Sequence, residues 1–314
     1  DHIRSGNARA VIANIVNANC FTGEYGLMHA RKMTEITGEA LGVDPREVLV
    51  MSTGIIGRPF PYEKIREALP GLVKGLSPAK GGHFAKAIMT TDRYPKIQYR
   101  EGPVGGSDVC VCGIAKGAGM IEPGMATLLA FILTDADIDD QAMRRALRDA
   151  VDQSFNAISV DGCMSTNDTV LLLANGIAGN RKIRASTRDF TVFAAMLTEV
   201  MTELARMIVR DGEGATKLIE IVVEGARSAA EAKAVAYQIA RSNLVKTAFY
   251  GGDPNWGRII SAAGAAGVAL DPAAVELTFD GLPLFRQGQG IASHLQQLVE
   301  VMKKDHIRVV VGLG

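Results

Sequence analysis

Apolar and polar positions along the chain switch repeatedly between a period of two and a period near 3.6, the signatures of strands and amphipathic helices. Residues 11–14 and 47–52 read as short strands on either side of a helix over 24–41. Residues 62–76 predict a helix interrupted at Pro70, and 83–89 a shorter one. Strands are expected at 107–114 and 127–134, flanking the segment 116–126. Residues 139–155 predict a helix that opens on acids and carries arginines later, the order the helix dipole favours. A strand at 169–174 and a long helix at 191–210 follow.

Beyond Asp211-Gly212-Glu213-Gly214 the pattern restarts more regularly. Strand 217–224, helix 229–242 and strand 245–250 come first. Then come a helix from about Asn255, strand 275–279, helix 291–303 and strand 307–311. The expectation is a mixed α/β protein with a main domain over 1–211 and a smaller C-terminal α/β domain over 212–314.

With 314 residues, 47% of them hydrophobic and 22% charged, the chain can bury a sizeable core. Lys+Arg and Asp+Glu both number 34, so no net field favours nucleic acid or an anionic membrane. The apolar run 125–133 is too short to span a bilayer. No signal peptide is expected, although a chain opening at Asp1 is also compatible with trimming. Four cysteines, Cys20, Cys110, Cys112 and Cys163, are too few for a disulfide framework, so reduced thiols and a cytoplasmic setting are expected. Cys110-Val-Cys112 puts two thiols on one face of a strand without a second pair at zinc spacing, which reads as two small core residues.

Motifs for dinucleotides, phosphate loops, zinc peptidases and serine elbows do not occur, and the polar loop 161–168 has Leu172 where a calcium loop needs an acid. No metal or cofactor is expected. The chemistry is concentrated instead in Lys116-Gly117-Ala118-Gly119-Met120-Ile121-Glu122-Pro123-Gly124-Met125-Ala126-Thr127, an irregular crossing between two strands. A threonine hydroxyl is a weak nucleophile unless a base takes its proton, and a free α-amine on the same residue can be that base. An internal threonine gains that amine only when the bond before it is cut. Lys116 would supply a cation that lowers the amine pKa. From spacing alone, a hairpin loop needing glycines for geometry fits as well.

Residues 116–131, KGAGMIEPGMATLLAF, resemble the self-cleavage segment of the ornithine acetyltransferase (glutamate N-acetyltransferase, arginine-biosynthesis bifunctional) family. Further motifs resemble that family in order along nearly the whole chain. They are Ser5-Gly6-Asn7-Ala8, Asn17-Ala18-Asn19, Met51-Ser52-Thr53-Gly54-Ile55-Ile56-Gly57 and Met89-Thr90-Thr91-Asp92. Ser154-Phe155-Asn156, Val160-Asp161-Gly162, Ser165-Thr166-Asn167-Asp168-Thr169 and Asp253-Pro254-Asn255-Trp256-Gly257-Arg258 continue the series.

The resemblance implies a helix–sheet–sheet–helix core and ping-pong acetyl transfer from N2-acetylornithine to glutamate, without a cofactor. It makes Thr127 the nucleophile and Ala126–Thr127 the cleaved bond. Thr53 and Gly54 match the oxyanion hole, where the alternative is a plain strand-to-loop turn. Lys116 matches a substrate-contacting lysine, Thr90 (or Thr91) a substrate-contacting threonine, and Glu213 an acid that meets the substrate amine. Their alternatives are a solvated loop cation, a helix-end hydroxyl and a linker acid. The cleavage fragments are expected to assemble as two alpha and two beta chains, a heterotetramer.

Asp253-Pro254 also reads as a helix cap with proline at the first turn, Trp256 as packed, and Arg258 as a helix-surface partner. Asn167 and Asp168 either orient active-site groups or form a turn. The chain departs from the family pattern at Ile15-Val16, where Ser-Gly is common, at Glu122 (alanine), at Gly124 (asparagine) and at Cys163-Met164. The resemblance also implies residues before Asp1 and a tail past Gly314 whose asparagine and hydroxyl residue hold substrate. Rival readings are a self-cleaving aminopeptidase or amidase, a transferase that also accepts acetyl-CoA, and an uncleaved binding module.

Overall fold

The alternation of side chains in two stacked sheets sets the layers of the N-terminal part. In a computed structural model that describes residues 2–122 and 128–314, strands β1 (Ala10–Asn14) and β2 (Val48–Ser52) pair in parallel, Ala10 opposite Val48. A second sheet runs β3 (Lys96–Val104), β4 (Ser107–Lys116), β5 (Leu129–Thr134), β6 (Thr169–Ala174), antiparallel except for the parallel β5–β6 pair. In β5, Ala130 and Ile132 point to one face and Leu129 and Phe131 to the other.

The first face meets α4 (Asp140–Gln153) and α5 (Arg188–Arg210). The second meets Met51 of β2 with Val11, Ala13 and Ile15 beside it, so the two sheets stack on each other. The outer face of the β1–β2 pair, with Ile12 and Val48, is covered by Met33 of α1 (Gly23–Leu41) and Leu69 of α2 (Tyr62–Lys74). The order is therefore helix, sheet, sheet, helix.

Helix α5 shows why the central sheet is closely covered. Phe190, Phe193, Leu197, Val200, Met201, Leu204, Ala205 and Ile208 form a buried stripe at helical spacing, and the Thr187 hydroxyl caps the first turn at Phe190 N. The stripe sits tight against β4 because Gly113 lacks a side chain. A Cβ there would lie 2.6 Å from Leu204 Cδ1.

The two compact units of the chain are Asp1–Glu213 and Gly214–Gly314. The second has its own core, in which β7 (Leu218–Glu224), β8 (Glu276–Phe279), β9 (Leu282–Arg286), β10 (Gln289–Gly290) and β11 (His306–Gly312) form a sheet ordered β10-β9-β8-β11-β7. Helices α6 (Ala229–Arg241), α7 (Asn243–Tyr250), α8 (Trp256–Gly264) and α9 (Leu295–Met302) belong to the same unit. The short helix α3 (Gly81–Ala87) lies in the first unit, where Ala85 joins the inter-sheet core. No helix among the described residues is long and apolar enough to cross a membrane.

Several expectations need correction. Pro70 does not interrupt α2. It is exposed, so water can take the carbonyl that a proline leaves unpaired. Residues 245–250 are helical, not extended: Ser242 accepts from Val245 N, and Val245, Ala248 and Phe249 bury at helical spacing. The cap of α8 is Asn255, which accepts from Arg258 N at 3.2 Å, so Pro254 precedes the cap instead of following it. Strands β3, β9 and β10 were not expected. β3 hides because its alternate positions are polar, with Gln98 and Arg100 engaging Met207 and Glu199 of α5.

Candidate active site

The chemistry gathers where β4 ends. Lys96, at the start of β3, is fully buried and places its ammonium 2.6 Å from Asp92 Oδ1 and 2.6 Å from Asp211 Oδ2, both also fully buried. A buried charge must be paired and hydrogen-bonded to be tolerated, and these groups are. Asp92 accepts from Gly117 N at 2.8 Å and from Thr90 N at 3.1 Å. Asp211 accepts from Arg93 N and Nε. Burial pushes the Asp92 carboxyl up, but the Lys96 ammonium and the two amides outweigh it and hold the pKa below the usual carboxylate value. One ionic cluster thus fixes the Thr90 turn, the exit of β4 at Gly117 and the end of α5.

Those three points carry three of the residues singled out by sequence. Lys116 is 3% exposed and donates from Nζ to Thr90 Oγ1 at 2.7 Å. Burial lowers its pKa, with Asp92, Asp168 and Glu213 opposing and Lys96 adding to the shift. The Glu213 amide donates to Ala118 O at 2.8 Å, and its carboxylate lies over Gly119, where a Cβ would come within 2.9 Å of it. Thr90, Lys116 and Glu213 are therefore brought together, with Thr91 exposed beside them.

Thr53 and Gly54 follow β2 directly. Thr53 is 2% exposed and donates its amide to Asn14 O, and Ile55 N donates to Val16 O. Gly54 has φ 136°, and a Cβ on it would lie 2.2 Å from the carbonyl carbon of Val16, so only glycine fits. Val16 itself has φ 77°, a strained conformation for a β-branched residue. This is one of the positions at which the chain departs from the Ser-Gly pattern. Met51, two residues before Thr53, shares the inter-sheet core with Leu129 and Phe131, which brings the Thr53–Gly54 turn to the layer that contains the start of β5.

Ala126 and Thr127 lie outside the described residues, but both flanks are tied to the loop between α4 and β6. Upstream, the Asp161 carboxylate accepts from Met120 N at 2.6 Å and Ile121 N at 3.0 Å, and Ser159 Oγ donates to Glu122 Oε2 at 2.5 Å. Downstream, Leu128 N donates to Asp168 Oδ1 at 2.8 Å, and Leu128 O accepts from Thr169 N. Burial pushes the Asp168 carboxyl up to about 6, against the Leu128 and Ser165 amides and the Lys116 charge.

Sequence reasoning singled out neither Lys96 nor Asp211 as a site residue; an acid embedded in Asp211-Gly212-Glu213 was the available signal. Within the second unit, Trp256 packs on Phe285 at 4.9 Å while staying partly exposed, and Arg258 donates to Leu244 O and Thr247 Oγ1. Cys110 and Cys112 are half-buried free thiols whose pKa values burial raises. Among the described residues no group of His, Cys, Asp and Glu is arranged to hold a metal ion.

A helix–sheet–sheet–helix body in which a buried lysine, a threonine hydroxyl and an acid gather at the end of a central strand has the build of an acyl-transfer enzyme. Comparison with known proteins narrows this to one family. The ArgJ family matches residues 1–314. The arginine biosynthesis bifunctional protein ArgJ of Geobacter sulfurreducens is 51% identical over 284 residues, covering 90% of this chain and 72% of the relative. Its counterpart in Desulfotalea psychrophila is 43% identical over 314 residues, 100% of this chain and 80% of the relative. The crystal structure of the Bacillus halodurans ArgJ protein superposes with a TM-score of 0.57 at 39% identity, covering 58% of this chain and 86% of that one. The chain belongs to the ArgJ family, whose nucleophile is a threonine released by self-cleavage.

Proposed function

We propose that the chain, an acetyl-transferring enzyme of arginine biosynthesis, moves the acetyl group of N2-acetylornithine to glutamate by way of an ester on Thr127. The observation that carries the reading is Lys116: a lysine buried at the end of β4, its ammonium on the Thr90 hydroxyl, beside the carboxylate of Glu213.

Cleavage of the Ala126–Thr127 bond leaves Thr127 with a free α-amine, which takes the Oγ proton as Oγ attacks the acetyl carbonyl. Thr53 Oγ and the Gly54 amide donate to the oxyanion, and the close fit of Gly54 against the Val16 carbonyl, which fixes the turn, supports that role. Collapse expels ornithine and leaves the acetyl ester. The amine of glutamate then attacks that ester through a second oxyanion in the same hole. Lys116 keeps positive charge near the α-amine and lowers its pKa, while Glu213 attracts the side-chain ammonium of ornithine. Thr90 contacts the substrate and holds Lys116. The reaction needs no cofactor. The cleaved pieces work as two alpha and two beta chains in the cytoplasm.

Intact-protein mass spectrometry under denaturing conditions tests this on the full biological chain. Two fragments meeting at Ala126–Thr127 are expected for wild type and a single uncut chain for Thr127→Ala. Radiolabelled acetylornithine should place acetyl on the Thr127 fragment and pass it to glutamate. Turnover without label on Thr127 would overturn the covalent step, and acetate release independent of glutamate would make the enzyme a hydrolase. Acetyl-CoA in place of acetylornithine shows whether the second donor is used.

A further inference from the structure

The base used in turnover does not exist before the chain is cut. Until then the nitrogen of Thr127 is an amide, which cannot take the hydroxyl proton, so self-cleavage needs a base from elsewhere. We propose that Asp168 carries the proton in self-cleavage. Its free carboxylate oxygen takes the Oγ proton of Thr127 as Oγ bonds to the Ala126 carbonyl carbon. It returns that proton to the Thr127 nitrogen as the Ala126–Thr127 C–N bond breaks. The product is an ester between Ala126 and Thr127 Oγ. Water then hydrolyses the ester, giving the Ala126 carboxylate, the free hydroxyl and the free amine. This deepens the proposed function and rests on its self-cleavage step.

Three observations point to Asp168. First, its Oδ1 accepts from the amide of Leu128, the residue that directly follows Thr127 in the sequence. Second, Oδ2 is buried and has no hydrogen-bond partner among the described residues. A carboxylate oxygen normally accepts two bonds, and a buried one left empty calls for an explanation. Third, three other acids near the segment, Asp161, Glu122 and Asp92, are engaged. Asp161 accepts from the amides of Met120, Ile121 and Cys163, Glu122 receives the Ser159 hydroxyl, and Asp92 is locked to Lys96, Gly117 and Thr90.

Burial, with Lys116 as the charge that acts on it, leaves Asp168 with a pKa of about 6. That value suits a group that must be ionised at neutral pH yet hold a proton within one reaction step. Residues Ile121 and Leu128, upstream and downstream in sequence, are both fastened to the 159–169 loop that carries Asp168.

The test follows cleavage of the full biological chain after cell-free synthesis with labelled methionine, from pH 5 to 8. Wild type should cut with a rate that rises through about pH 6 and then levels. Asp168→Asn keeps an acceptor for Leu128 N but loses the base, and should slow cutting by about 100-fold or more and abolish the rise. Asp168→Ala with added formate should recover part of the rate, which a purely structural defect would not allow. Melting of both variants near the wild-type temperature separates chemistry from misfolding. Asp168→Asn cutting within tenfold of wild type, or slow cutting with an unchanged pH profile and no rescue by formate, overturns the proposal. A wild-type chain that stays uncut overturns the self-cleavage reading itself.

Discussion

Lys96→Met removes the charge that reconciles two fully buried carboxylates. Its ammonium lies 2.6 Å from each, and methionine fills much the same volume without the charge. Removing one partner of a buried ion pair typically costs about 3–5 kcal/mol, because the remaining charge is left uncompensated. Here Arg93 Nε stays 2.9 Å from Asp211, and the Thr90, Gly117 and Arg93 amides remain, so the lower end, about 3 kcal/mol, is expected. Urea unfolding at pH 7.5 reads this as a midpoint lower by about 1–1.5 M for a slope of about 2–3 kcal/mol/M.

The cost should depend on pH with a definite sign. Asp92 ionises near 4 when unfolded and below that when folded, so its contribution is complete above pH 4 and lost as pH falls through the folded value. The gap between wild type and Lys96→Met should therefore narrow at low pH. Asp92→Asn in the Lys96→Met background removes one orphaned charge and should recover part of the loss. A single-variant loss under about 1 kcal/mol, or a double variant weaker than Lys96→Met, would refute the view that this cluster is a stressed ionic joint.

Asp168→Asn should raise stability at pH 7.5 by about 1–2 kcal/mol after allowance for partial solvent exposure, and by nothing at pH 4. The sign follows because the unfolded carboxyl ionises near 4 and the folded one near 6, so stability is lost as pH rises between them; thermal melts at the two pH values check it. Gly113→Ala forces a Cβ to 2.6 Å from Leu204 Cδ1 and should cost about 1–3 kcal/mol, read by urea unfolding. Val16→Gly relieves φ 77° and should leave stability unchanged or up to about 1 kcal/mol higher despite the flexibility of glycine; a loss above that would show Val16 is unstrained. Gly54→Ala should cut acetyl transfer by about 100-fold or more while the second unit keeps its far-ultraviolet signature and melting transition.

What was readable in the sequence is what has a single physical cause. β5 and β6 announce themselves because residues 129–133 and 170–174 are unbroken apolar runs, as strands inside a layered core favour. The helix α5 shows its stripe without ambiguity. β3 does not, because a strand on the edge of the sheet can satisfy Gln98 and Arg100 against α5 and solvent, and its alternation then carries no apolar signal. The short segment 245–250 fits either period, and the Ser242 cap with burial of Val245, Ala248 and Phe249 settles it as helix. At the candidate site, Lys116, Thr90 and Glu213 stand out by motif. Lys96 and Asp211 lie 115 residues apart in sequence, and no local pattern reveals a pair that only the tertiary fold creates.

The interleaving of the central sheet decides what a cut at Thr127 does to the molecule. β3 and β4 precede the proposed cut and β5 and β6 follow it, yet β4 and β5 are neighbours with Lys116 opposite Leu129 and Val111 opposite Thr134. Cutting there turns one chain into two that share a single sheet, each supplying half its strands. Neither piece can leave without exposing a full strand edge and the face beneath it. The nick is in this sense a one-way door: the chain must fold whole before it is divided, and pieces made separately would each meet water with a raw edge that invites pairing with the wrong partner.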